Sequence, residues 1–174
     1  MTWGVLLDRD GTINESPPAG EYLCDPARVR LAPGAAAGIA ALNRAGAIVC
    51  VVTNQRGIAL GLCTGADVES VHVRIQQLLA SSEAHIDAWY VCPHDLDQCQ
   101  CRKPGDGLVR RAIDEQALDP SISWIVGDRV VDVLAGAATG LGQVLIGAEA
   151  EAEALGVAHA DDLREASQVI LSRH

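Results

Sequence analysis

The chain has 174 residues, enough for one domain over residues 1–174 with a single core and too few for two cores of ordinary size. Hydrophobic residues make up 49% and charged residues 21%, a globular composition that excludes disorder. The net charge of −10 argues against a nucleic-acid-binding face, although a few cations and a metal can still turn one pocket towards anions.

In chain order, the first predicted element is a strand over Trp3 to Leu7, ending at Asp8-Arg9-Asp10-Gly11-Thr12. The start lacks a basic region followed by a cleavable apolar stretch, and no apolar run is long enough to span a bilayer, so a cytoplasmic chain is expected. Pro33-Gly34 opens a helix over Ala35 to Ala45, which Gly46 stops. A strand over Ala47 to Val52 follows and runs into Thr53-Asn54-Gln55-Arg56-Gly57. Thr64-Gly65-Ala66-Asp67 resembles a capping box, and the helix after it sets Val68, Val71, Ile75 and Leu78 on one stripe.

The second half repeats the alternation. A strand over Ile86 to Val91 leads into a cysteine-rich loop that ends at Cys101-Arg102-Lys103-Pro104, and a helix is expected over Gly107 to Gln116. Ser123 to Val126 forms a strand that ends at Gly127-Asp128-Arg129, and a helix over Val130 to Ala138 carries Asp132. A strand over Gln143 to Ile146 and a helix over Asp161 to Ser172 complete the chain. The strands are apolar throughout instead of alternating, as in a parallel sheet covered on both faces. With only 3% aromatic residues and no Phe, Ala, Val, Leu and Ile must fill the core.

Ligands of open α/β sheets bind beyond the carboxyl ends of the strands. Asp8, Thr53, Cys92 and Asp128 each fall just after a predicted strand. Taken singly, each motif has a plain reading: a polar turn at Asp8-Arg9-Asp10-Gly11, an ordinary loop at Thr53-Asn54-Gln55, a solvated pair at Arg102-Lys103 and a helix cap at Asp128. Four in sequence, each at a strand or loop end, point to one site.

Cys92, His94, Cys99 and Cys101 offer three thiols and an imidazole within ten positions, a closed set suited to structural Zn²⁺. Because Cys101 directly precedes Arg102 and Lys103, such an ion would fix the loop that delivers both cations. Cys24, Cys50 and Cys63 have no partner at metal spacing, and in a reducing compartment clustered thiols suggest metal before disulfide. His72, His85, His159 and His174 are scattered and read as surface or structural.

The four motifs from Asp8 to Asp132 resemble those of the haloacid-dehalogenase-like phosphohydrolases. No insertion between the motifs is large enough for a separate cap domain beside the zinc loop. The resemblance implies a Rossmann-like parallel sheet with helices on both faces and the nucleophile at the end of a central strand. It also implies Asp8 as nucleophile, forming an aspartyl-phosphate, and Asp10 as acid and then base. Thr53 and Lys103 would hold the phosphoryl oxygens. Catalytic Mg²⁺ would lie on Asp8, Asp128 and the Asp10 backbone carbonyl, with Asp132 orienting Lys103 or a metal-bound water.

Within that superfamily the motifs are especially similar to those of heptose-1,7-bisphosphate 7-phosphatases, and histidinol-phosphate phosphatases share most of them. The segment from Ser16 to Ala19, with Asn54, Gln55, Arg56, Arg102 and Arg129, is expected to meet the substrate. The arginines favour a sugar bisphosphate. The expected partner is thus a small phosphorylated molecule on a monomeric chain, with no nucleic acid and no membrane. The alternatives are a zinc-stabilised module that only binds phosphorylated ligands, and a polynucleotide phosphatase. No phosphate-binding or dinucleotide-binding glycine motif is present.

Overall fold

The computed structural model describes residues 2–174. Strands β1 (Gly4–Leu7), β2 (Ile48–Asn54), β3 (Ala88–Cys92), β4 (Trp124–Gly127), β5 (Gly142–Ile146) and β6 (Ala158–Ala160) form one six-stranded sheet in the order β3-β2-β1-β4-β5-β6. Every pairing is parallel. Helices α1 (Ala35–Arg44), α2 (Gly65–Ala80), α3 (Gly107–Glu115), α4 (Val130–Ala137) and α5 (Glu149–Leu155) provide the crossovers, and α6 (Leu163–Leu171) follows the last strand.

Alternate residues of each strand point to opposite faces, and each face is covered. Val5 and Leu7 of β1 pack with Val49, Val51 and Val126 beneath Ile39 of α1, Ile75 of α2 and Ile170 of α6. Leu6 faces the other way, with Cys50, Val52 and Ile125 beneath Leu108 and Val109 of α3 and Ala135 of α4. Burying each such side chain contributes about 1.5–3 kcal/mol, so the strand ends that carry the polar residues are rigidly founded.

The expected strands and helices all form, with ends shifted by one or two residues. The capping box forms as predicted: Asp67 N–H donates to Thr64 Oγ1 at 3.1 Å, and Thr64 N–H donates to Asp67 Oδ2 at 2.8 Å. The buried stripe of α2 includes His72 and Leu79, with Leu78 packed at its margin. The sequence reading missed α5 and β6. The helix reads Glu-Ala-Glu-Ala-Glu-Ala-Leu with only Ala152 buried, so it has no apolar stripe, and three residues of β6 are too few for a periodic signal.

Two positional corrections bear on the site. Thr53 lies inside β2 and Cys92 is the last residue of β3, so both are held by the sheet itself. Cys24 and Cys63 are joined in a disulfide, with Cα atoms 5.6 Å apart across a separation of 39 residues. Spacing in the chain carries no trace of that pairing, which the tertiary fold creates.

Among the described residues, no helix is long and apolar enough to cross a membrane.

Candidate active site

The strand order reverses direction at β1, which lies between β2 and β4. At such a switch point the crossovers diverge and leave a crevice beyond the strand ends. Asp8 follows β1 and Asp128 follows β4, and the Asp8 N–H donates to the Val126 carbonyl at 2.9 Å. Gly11 makes the turn after Asp8 with φ of 92°, and a β-carbon there would collide with the Asp128 carboxylate. The turn therefore needs glycine on both counts.

Lys103 enters from the loop before α3 and is 3% exposed. Its ammonium has three donors, and each has a partner at 2.6 Å: Asp8 Oδ1, Asp132 Oδ1 and the Val52 carbonyl. The two carboxylates outweigh the effect of burial on Lys103 and raise its pKa. Burial pushes Asp8 up to about 7, with the charge of Asp132 adding and that of Lys103 opposing. Burial, then Asp132, pushes Asp128 up to about 6.

Asp8, Asp128 and Asp132 each place a carboxylate oxygen within 4.8 Å of the others, and Asp128 Oδ1 is buried without a hydrogen-bond partner. Two like charges about 4 Å apart repel by about 4 kcal/mol at the effective dielectric of a protein site. One ammonium does not neutralise three such groups. An orphaned buried oxygen amid oxygen donors fits a hard divalent cation held by Asp8 and Asp128. Asp132 spends one oxygen on Lys103 and the other on the Arg129 N–H at 3.1 Å, which leaves it to orient the lysine.

Asp10 projects into the same cleft with its carboxylate held from three sides. Arg9 Nη2 donates to both of its oxygens at 3.0 Å, Asn14 Nδ2 to Oδ1 at 2.8 Å, and Gln55 Nε2 to Oδ2 at 3.0 Å. Gln55 also donates to Thr53 Oγ1 at 2.9 Å and is 2% exposed. The structure thus puts Gln55 behind the acid, in contrast to the substrate-contacting place expected of it. Asn54 does border the cleft, with its amide clasping the backbone of Lys103.

Arg56, Arg102 and Arg129 line the cleft as expected, together with Asp8, Asp10, Thr53, Asn54, Lys103 and the segment from Ser16 to Tyr22, around a volume of about 300 Å³. Arg56 does not simply face solvent: its Nε donates to Asp95 Oδ1 at 2.5 Å. Asp95 and Tyr22 were not found from sequence. Nothing in the chain order links Asp95 to residue 56, and Tyr22 becomes a wall of the cleft only because Gly57 lets its ring approach. A β-carbon on Gly57 would come within 2.8 Å of that ring. The disulfide from Cys24 to Cys63 fastens the same two segments.

Cys92, His94, Cys99 and Cys101 converge, with their ligand atoms within 4.8 Å of one another. His94 Nδ1 lies 3.6 Å from Cys92 Sγ and 3.3 Å from Cys101 Sγ; Cys99 Sγ lies 3.6 Å and 3.2 Å from the same two sulfurs. A tetrahedron of ligands about 2.3 Å from zinc has edges of about 3.7 Å, so the set needs only slight expansion to take that ion. Burial and the neighbouring sulfurs push Cys101 up to about 12, so a cation is needed for the thiols to ionise together.

A family model described as HAD-hydrolase-like matches residues 100–166. A relative from Mycobacterium bovis, named D-glycero-alpha-D-manno-heptose-1,7-bisphosphate 7-phosphatase, is 40% identical over 136 residues, covering 75% of this chain and 70% of its own. One from Pseudomonas putida, named for the beta anomer of the same substrate, is 36% identical over 143 residues, covering 82% and 81%. The crystal structure of a D,D-heptose 1,7-bisphosphate phosphatase from B. bronchiseptica, complexed with magnesium and phosphate, superposes with a TM-score of 0.89 at 30% identity over 100% of both chains.

Proposed function

The chain belongs to the haloacid-dehalogenase-like hydrolases and is a phosphatase, and from that premise we propose that it hydrolyses the 7-phosphate of D-glycero-D-manno-heptose 1,7-bisphosphate through an aspartyl-phosphate on Asp8. The observation that carries this reading is the meeting of Asp8 Oδ1 with Lys103 Nζ at 2.6 Å, in a cleft shared with Asp10 and Thr53.

Asp8 attacks phosphorus while Lys103 and Thr53 steady the non-bridging oxygens, and Asp10 protonates the departing sugar oxygen. Asp10, now a carboxylate, takes a proton from the water that attacks phosphoryl-Asp8, which restores the nucleophile. Mg²⁺ bound by the Asp8 and Asp128 carboxylates and the Asp10 carbonyl would neutralise the charge that otherwise repels a phosphate dianion. Zn²⁺ at Cys92, His94, Cys99 and Cys101 would be structural, since four protein ligands leave no place for water.

Three rim arginines around a cleft with a phosphoryl-transfer floor support a substrate with a second anionic group. The names of the relatives support heptose bisphosphate as that substrate, in either anomer. The test is phosphate release with Mg²⁺ from both anomers of heptose 1,7-bisphosphate, other sugar bisphosphates, histidinol phosphate and nucleotides, with Asp8→Asn as the inactive control. A kcat/KM for histidinol phosphate above that for heptose bisphosphate would overturn the substrate, and an active Asp8→Asn enzyme would overturn the mechanism.

A further inference from the structure

Arg9, which holds Asp10, is wholly enclosed, at 0% exposure. A guanidinium donates five hydrogen bonds and accepts none, so every nitrogen shut away from water needs an acceptor. Nε and Nη2 spend theirs on Asp10. Nη1 reaches His72 Nε2 at 3.4 Å, across 63 positions of sequence. The imidazole must therefore present its lone pair at Nε2 and carry its proton on Nδ1, and the ring is neutral.

His72 is poorly explained as filler. Its neighbours on the buried face of α2 are Val68, Val71, Ile75 and Leu79, and an aliphatic side chain would suit them without desolvating two nitrogens. Its Nδ1 has no hydrogen-bond partner and stops 3.9 Å from Glu69 Oε2, so the fold tolerates one idle nitrogen to present the other to Arg9. The ring is also fixed in orientation, stacked on Trp89 of β3 with centroids 4.1 Å apart and planes 15° from parallel.

We propose that His72 is a positioning residue for the acid–base step: by accepting from Arg9 Nη1 it sets the rotation of the guanidinium and, through it, the direction of the Asp10 carboxyl. The inference rests on the assignment of Asp10 as acid and base made above. No bond is made or broken at His72.

Leaving-group dependence tests it. His72→Phe keeps a ring against Trp89 and removes the acceptor; His72→Gln loses the ring and returns an acceptor close to the place of Nε2. Each is assayed with Mg²⁺ on a sugar phosphate that the wild-type enzyme hydrolyses and on para-nitrophenyl phosphate, whose phenolate departs without a proton. His72→Phe should lower kcat/KM for the sugar phosphate roughly tenfold while changing that for the aryl phosphate less than twofold, since a general acid supplies about 10²–10⁴ and misdirection forfeits part of it. His72→Gln should stay within about twofold of wild type on both, a small fraction of what a general acid supplies. Asp10→Asn, run in parallel, should show the same selectivity in a larger degree. Equal losses on both substrates, no loss in His72→Phe, or damage in His72→Gln matching that in His72→Phe overturns the role of His72 while leaving Asp10 as the acid. An Asp10→Asn enzyme without leaving-group selectivity removes the acid–base assignment itself, and the inference with it.

Discussion

Asn54 clasps Lys103 by both ends of its amide, donating from Nδ2 to the Lys103 carbonyl at 3.1 Å and accepting at Oδ1 from the Lys103 N–H at 3.1 Å. The last residue of β2 thereby sets the height at which the Lys103 loop meets Asp8. Two hydrogen bonds at about 0.5–1.5 kcal/mol each connect sheet and loop at this point. Asn54→Ala should cost about 1–3 kcal/mol of stability and lower kcat about tenfold, with a smaller change in KM. Steady-state kinetics on the folded variant check this, and an unchanged kcat would leave the clasp without a catalytic role.

The metal-free carboxylate cluster has a definite pH signature. A carboxyl whose folded pKa lies above its unfolded value keeps a proton longer in the native state. Asp8 and Asp128, pushed up to about 7 and about 6 chiefly by burial, therefore stabilise the metal-free protein at acid pH. That contribution is lost as pH climbs from about 4 to about 7, with a slope on the order of 1 kcal/mol per unit. Mg²⁺ at a hundred times its Kd should restore about 2.7 kcal/mol near neutrality. Denaturant melts with and without Mg²⁺ measure both effects, and Asp128→Asn should abolish the response to the ion.

His72 acts in the opposite direction. Burial, then the charge of Arg9, pushes the ring down to about 3, so the native state refuses a proton that the unfolded chain accepts near 6.5. Stability should rise with pH across that window and fall as acid is added, by at most about 1.4 kcal/mol per unit. The difference between wild type and His72→Gln between pH 4 and 6.5 isolates this slope. Parallel stability curves would show that the imidazole does not titrate as described.

Removing the proposed zinc should disturb the side of the cleft that carries Arg56, Arg102 and Lys103. Cys101 adjoins Arg102 and Lys103, and Asp95 within the same loop grips Arg56. Cys101→Ser, or chelation followed by return of Mg²⁺ alone, should raise KM severalfold and lower Tm together, since structural zinc contributes directly to folding. Full activity and an unchanged Tm in zinc-free protein would sever the link.

The disulfide between Cys24 and Cys63 closes a separation of 39 residues and binds the rim around Tyr22 to the loop after β2. Replacing both cysteines with serine should cost about 2–4 kcal/mol. It should also raise KM for a sugar bisphosphate more than it lowers kcat, because Tyr22 borders the cleft without touching the carboxylates. A thermal melt and a KM measurement on the double variant decide the point.

The readable parts of the chain were those in which local chemistry and tertiary role agree. Apolar β-branched runs marked five strands, since a parallel strand is buried on both faces wherever it lies in the sheet. Thr64 and Asp67 announced their helix because a cap is completed within four residues. Asp8, Asp128 and Lys103 stood out because four motifs, each with a plain reading by itself, fall in order at strand or loop ends. Cys92, His94, Cys99 and Cys101 lie so close in the chain that convergence needs only one loop. Weak local signals failed: α5 has no apolar stripe and β6 no length.

What remained hidden was contact between distant segments. Arg9 with His72, Arg56 with Asp95, Tyr22 over Gly57 and Cys24 with Cys63 all join stretches whose order in the chain says nothing of their approach. Gln55, expected to meet the substrate, stands behind Asp10 and Thr53 instead, because an amide beside a strand-end threonine serves a ligand or a neighbour equally well. By itself the sequence determined the parallel architecture and picked out the acidic residues, the cations and the Cys/His loop that the fold brings together, all set by burial pattern and residue chemistry. Only the tertiary structure decided which polar groups face the cleft and which stand behind it, because that choice follows from how helices and loops pack across the ends of the sheet.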